Sequence, residues 1–339
     1  MGALEDSKLS SRRKVVKTLI LLVLLIIVVF LISLSVGSIE LGEVIQALIG
    51  LGSDSQMLII YQFRLPRIVL AGLIGAGLAV AGAILQGISR NVLADPGVLG
   101  INAGAGLAVA AFSLAFSNGI AYSPFLMPFF ALIGGLSAGS MIYMLAIKKG
   151  KVAPVRLILV GVGMSLICSA LLILLQIRMD PFVFMSTTVW LAGSLAGTTW
   201  LTVGVLLPWI LFLLPMAMYK ARTLNILNMG DEVAKGLGVH VERQRLGLLA
   251  IAIMLASACV AVGGGISFVG LVAPHITRRL IGPKHEHLLP VSALIGALLL
   301  MIADILARQL LTTNEMPTGI IVSLVGAPYF LYLLATSKR

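Results

Sequence analysis

The chain offers few residues with the type and spacing for chemistry. Four histidines invite a metal site, but His285 and His287 flank Glu286, which is not the His-Glu-x-x-His spacing that puts two ligands on one helix face, and His275 follows Pro274 in an apolar run. No metal ion and no resident cofactor is therefore expected. No phosphate loop ending in Gly-Lys-Ser or Gly-Lys-Thr occurs, so the chain does not hydrolyse ATP by that mechanism. No serine–histidine–aspartate set or carboxylate pair is legible, and no catalytic residue is assigned. Cys168 and Cys259 sit inside apolar runs and read as small core residues rather than a disulfide or a metal pair. What remains is cationic. Arg64 and Arg67 stand three apart in Arg-Leu-Pro-Arg, a spacing that puts both guanidinium groups on one side of a helical turn. Their simplest use is as interfacial anchors on lipid headgroups. Arg308 follows Asp304 by one turn, which alone suggests a local ion pair.

The elements that hold these residues are set by composition. Of 339 residues, 59% are apolar and 11% charged, with a mean hydropathy of +1.10, against about 25% charged in a soluble domain. This is an integral membrane protein. A crossing helix needs roughly 20 apolar residues. Thr18 to Val36 supplies the first and Ile68 to Ser89 the second, with Pro66 marking its start. The charge-free stretch from Asp95 to Lys148 holds two more that turn near Ser117–Pro124, and Leu157 to Ile177 is the fifth. A short or re-entrant helix near Trp190 precedes the sixth, which ends at Lys220 and Arg222. Leu246 to Thr277 is broken by Gly263, Gly264 and Gly265 into a seventh and a shortened eighth. Leu288 to about Leu306 and Met316 to Ser337 complete ten. The reading is an all-α integral membrane protein of about ten transmembrane helices, with residues 1–17 a cytoplasmic tail and 18–339 a single domain. With both termini inside, all 24 lysines and arginines but Arg64, Arg67, Arg178 and Arg308 fall on the cytoplasmic side. That asymmetry accounts for the net charge of +11, and no basic stripe interleaved with aromatics points to nucleic acid.

Two cytoplasmic connections stand out. The loop of about residues 220–245 contains Leu224 to Val239, in which Gly230 followed by Asp231 and Glu232 reads as a helix start and Lys235 with Gly236 and Gly238 as its close. It is either a solvated connector or a docking element; Leu224, Ile226, Leu227, Val233, Ala234, Leu237 and Val239 make it more apolar than a free loop needs. Arg90 to Gly97 joins the second and third spans through Asp-Pro-Gly turn chemistry. The spans themselves are nearly free of ionisable groups, which counts against ion coupling.

In order along the chain, Arg64-Leu-Pro-Arg67, Gln86, Arg90-Asn-Val-Leu-Ala-Asp-Pro96, Trp190 with Gly193-Ser194, Leu227-Asn-Met-Gly-Asp-Glu232, Gly265 to Ile276 and Glu315-Met-Pro317 resemble the membrane subunit of the ABC importers for iron–siderophores, haem and vitamin B12. Val92 departs from the proline common there. The resemblance runs from about Ser38 to the C-terminus and implies a ten-helix permease fold like that of the cobalamin importer, of type II. It implies a second permease subunit, identical or related, two cytoplasmic ATPase subunits that hold ATP and Mg, and an extracytoplasmic substrate-binding protein. Carried over, Arg64, Arg67 and Arg308 would dock glutamates of the binding protein. Leu227, Gly230, Asp231, Glu232, Gly236, Leu237 and Gly238 would form the ATPase coupling loop. Asn91, Val92 and Leu93, with Ala153, Pro154 and Val155, would belong to an inner gate, and the fifth and tenth spans would line the path. The implied cargo is a ferric siderophore, the implied location the cytoplasmic membrane of a prokaryote. The competing reading is an ion-coupled carrier or channel that works without ATPases.

Overall fold

The computed structural model describes residues 2–36, 41–97, 99–116, 126–148, 151–152, 154–310 and 315–336. The expected turn near Ser117–Pro124, as well as Lys149, Ala153, Lys338 and Arg339, lies outside them. The helices are α1 (Gly2–Ser35), α2 (Leu41–Leu48), α3 (Asp54–Leu58), α4 (Leu65–Ser89), α5 (Ile101–Ala115), α6 (Leu126–Ala146), α7 (Pro154–Gln176) and α8 (Pro181–Leu191). They continue as α9 (Trp200–Tyr219), α10 (Ala221–Asn228), α11 (Asp231–Gly236), α12 (Val241–Gly263), α13 (Val269–Ile281), α14 (His285–Gln309) and α15 (Thr318–Thr336). A two-residue ladder, Ile147–Lys148 against Lys151–Val152, joins α6 to α7.

Among the described residues, eight helical runs are long and apolar enough to cross a bilayer, and the shorter α5 and α13 occupy the places of the expected third and eighth spans. At 13 residues α13 is about 20 Å long, too short to cross alone. It begins within the protein, after the Gly264–Phe268 break. A non-helical main chain at such depth must be covered by protein. Here it packs main chain to main chain: Gly265 N donates to Trp190 O (3.4 Å), and Gly319 N, at the start of α15, donates to Gly193 O (2.8 Å). A Cβ on Gly264 or Gly265 would collide with the carbonyls of Trp190 and Leu191. Phe268 takes a left-handed conformation (φ 68°) to cap α13, and its ring lies against Gly326 and Phe330 of α15.

The centre of the bundle is α4. The helical run from Asp54 to Ser89 is 78% buried in its most apolar stretch, against 11% for α1. Small residues explain this. Gly75 meets the main chain of Gly296 on α14, Gly82 that of Gly270 on α13, and Gly77 the thiol of Cys259 on α12. Small residues let helix backbones approach closely where lipid offers no hydrophobic drive between helices.

The segment expected as a cytoplasmic tail, residues 1–17, is helical from Gly2 and continuous with the first span in α1. One expectation needs correction: Pro66 does not open the second span. The helix starts upstream, where Ser53 and Gln56 form a capping box on α3, and widens into a π-helical turn over Ile59–Arg64 before α4. That wide turn accommodates a proline that lacks an N–H and would otherwise crowd the preceding carbonyls.

Candidate functional site

Two polar constellations lie at opposite ends of α4 and α14. At the outer end Asp304 is a buried keystone, 1% exposed. Its carboxylate accepts from Arg67 Nε (2.9 and 3.2 Å) and from the Thr318 hydroxyl (3.1 Å), and it forms an ion pair with Arg308 Nε (3.2 Å), which donates to the Asp304 main-chain carbonyl (3.4 Å). It therefore joins α4, α14 and α15. Arg67 Nη1 reaches on to Glu315 Oε2 at 2.7 Å. Arg308 spends its other nitrogens on Ser33 of α1, bonding both its carbonyl and its hydroxyl, and Arg64 donates to the Leu34 carbonyl. The three arginines foreseen as docking cations do converge, but as part of an ionic network with two carboxylates. The ion pair expected between Asp304 and Arg308 is present. Arg67, unlike Arg64, is also held by two carboxylates remote in sequence, Asp304 and Glu315.

At the cytoplasmic end α10 and α11 form a structured loop that three spans hold in place. Arg90, the left-handed C-cap of α4, donates to Leu227 O (3.2 and 2.8 Å) and pairs with Asp231. Arg245 of α12, 1% exposed, reaches the same carboxylate at 2.9 Å and Glu242 at 3.1 Å. Asn225 Oδ1 accepts from the His285 main-chain N–H (2.9 Å) and lies 2.9 Å from its Nδ1, while the Asn225 amide donates to Glu286, both on α14. Burial works to raise the pKa of Asp231, but Arg245 and Arg90 outweigh it and hold the group below its ordinary value. The tether is thus at full strength above the ordinary carboxylate range, and it weakens only as pH falls through that lowered value. The foreseen helix start at Gly230 and close at Gly236–Gly238 are as expected, with Gly230 and Gly238 both at positive φ. Met229, Val233 and Leu237 present exposed apolar side chains, and Lys235, Gly238, Val239 and His240 border a surface hollow of about 520 Å³.

The connection from α4 to α5 is more deeply set than turn chemistry suggested. Asp95 is 2% exposed, its Oδ2 accepts from Gly97 N (2.9 Å), and its carboxylate abuts Gly270 at the start of α13. Asn102 Nδ2 donates to Ile266 O (3.1 Å), and Gln86 bridges Gly270 O (3.0 Å) to Arg278 Nη1 (2.6 Å). Of the residues assigned to an inner gate, Asn91 Oδ1 accepts from Leu93 N, Leu93 packs beside Leu271 and Val272, and Val92 and Val155 are exposed. The side chain of Pro154 is outside the described set. Both cysteines are free and buried, and among the described residues no group of histidine, cysteine and acidic side chains could hold a metal ion.

The structure is thus a helical membrane domain with an ionic network at one end and a braced loop with exposed apolar side chains at the other. The family follows from sequence: the chain belongs to the FecCD transport family, whose model matches residues 23–336. It is 50% identical over 311 residues to the iron(3+)-hydroxamate import system permease protein FhuG of Bacillus subtilis, covering 90% of this chain and 92% of that one. It is 44% identical over 310 residues to the Fe(3+)-citrate import system permease protein YfmE of the same organism, covering 91% of each. Among solved structures, a metal-chelate type ABC transporter in an inward-facing conformation superposes with a TM-score of 0.82 at 30% identity, covering 95% of this chain and 99% of that one. The chain is accordingly the transmembrane subunit of an ABC importer, a multi-pass protein of the cytoplasmic membrane.

Proposed function

We propose that this permease passes a ferric siderophore, of the hydroxamate class, through a path formed with a second permease subunit. The observation that carries the cargo is the 50% identity, across nine-tenths of the chain, to a permease named for iron(3+)-hydroxamate import. Two ATPase subunits, which hold the ATP and Mg that this chain has no loop to bind, seat on α10 and α11, and the chain itself catalyses nothing. A substrate-binding protein docks on the outer ionic network through its own carboxylates. Asn91, Val92, Leu93, Pro154 and Val155 contribute to an inner gate, and α7 and α15 line the path. Ion coupling is the weaker reading, because Asp304 is already shared by Arg67 and Arg308, and Glu315 is paired with Arg67 as well.

The test is purification in mild detergent followed by reconstitution. Stoichiometric ATPase recovery and ATP-dependent uptake of radioactive iron as a ferric hydroxamate support the reading; solute movement without ATP overturns it. Two variants probe the two faces. Arg64→Glu should abolish binding-protein-stimulated uptake while the protein stays in the membrane, since charge pairs at a docking face govern association and specificity. Arg67 is unsuited to reversal, because a carboxylate there would face Asp304. Undiminished uptake by Arg64→Glu would remove the docking role. Gly238→Trp should leave ATP hydrolysis running but disconnected from transport. The position has φ +77° and open space beside it, so the indole would strain the turn and fill the hollow where a partner would seat. Normal coupling in that variant would refute the loop's role.

A further inference from the structure

We infer that Glu315 is a resident stand-in for the binding protein's carboxylate, holding Arg67 until docking displaces it. This rests on the docking reading above and assigns that site its regulation. Three observations carry it. First, the arginines differ in what they can release. Arg308 is committed at Nε to Asp304 and at both terminal nitrogens to Ser33, and Arg64 is bound to a main-chain carbonyl. Arg67 is fixed to buried Asp304 through Nε, while its Nη1 donates to Glu315, the more exposed of the two acids. Second, the group on Nη1 is an acid that can leave. The Glu315 side chain is 49% exposed, whereas that of Asp304 is 1% exposed, so Glu315 can be rehydrated at little cost. Third, the charges allow the exchange. Three guanidinium groups face two carboxylates, so the cluster is net positive and attracts a further acid, and an incoming carboxylate that displaces Glu315 replaces a bond of the same kind.

The exchange also has a mechanical consequence. Glu315 lies three residues before Thr318, the first residue of α15, and Met316 N donates to Ala307 O at 3.3 Å on α14. Freeing Glu315 releases one of the links that hold the start of α15 against α4, while the Thr318–Asp304 bond keeps the helix attached. Docking is thereby reported to a helix that borders the path.

The decisive variant is Glu315→Gln, which preserves shape and removes the competing charge. In the reconstituted complex, with the binding protein captured from the host by cross-linking, its affinity should rise about two- to fivefold, the worth of one exposed ion pair. The gain should appear in the association rate at low ionic strength and shrink in high salt, a signature that a merely structural contact would not produce. Unchanged or weaker binding at unaltered complex yield overturns the inference. Arg64→Glu is measured alongside. If it binds the protein as tightly as the parent, the docking reading itself has failed; if it loses binding while Glu315→Gln gains none, Glu315 alone has been misassigned.

Discussion

Replacing Asp304 by alanine should cost more folded protein than any other single change at the outer face. The carboxylate is 1% exposed and shared by Arg67, Arg308 and Thr318. Removing it leaves two guanidinium groups facing each other in a site with little water. Breaking a buried ion pair from one side costs about 3–5 kcal/mol, because the remaining charge has lost its compensation. The neutral isostere Asp304→Asn keeps an acceptor oxygen and should fall between parent and alanine. Thermal unfolding of the purified protein in detergent checks this. A Asp304→Ala protein that melts with the parent would show that the arginines find other partners and that Asp304 is no keystone.

The second large effect is expected inside the bundle, at Gly82. Its Cα faces the main chain of Gly270, and a Cβ there would lie well inside contact distance of the Gly270 carbonyl. Neither backbone can yield without moving α4 from α13. Overpacking ordinarily costs about 1–3 kcal/mol, and a clash of backbone on backbone belongs at or beyond the top of that range. Gly82→Val should therefore be recovered poorly and lack uptake. Gly247→Val on α12 is the control, because no atom lies within 4 Å of the Cβ it would add. Equal loss in both variants would mean that valine in any of these helices is harmful and that the α4–α13 approach has no special demand.

The difference between those two glycines marks what a single sequence conveys. Hydrophobic run length and the side on which lysine and arginine accumulate are local properties, and they disclosed the spans, the Gly263–Gly265 break and the shape of the α11 turn. The partners of a polar side chain are not local. Arg67 meets Asp304 and Glu315 across more than two hundred residues, and Arg90 meets Asp231 across more than a hundred. No spacing rule joins them. Asp95 looked like turn chemistry because Asp-Pro-Gly is what turns are made of; its burial comes from α13 starting deep in the protein beside it. Gly82 and Gly247 are the same letter, and only the packed bundle separates a required glycine from a permissive one. The start of the second span was misplaced for a related reason. Proline is favoured in a first turn, but a widened turn upstream let the helix run through it.

The main-chain junction of Trp190–Gly193, Gly264–Gly265 and Gly319 also decides where the permease can flex. It behaves as a rivet through three layers, because bonds between backbones cannot be slackened by a rotamer change. The top of α15 is therefore pinned to the end of α8 and the entry to α13, and any swing of α15 has to pivot below that level. Seven and nine residues beyond Gly319 lie Gly326, seated on the Phe268 ring, and Pro328, which withdraws one rung from the helix ladder. Below that fixed junction, the ladder of α15 is weakest at Pro328.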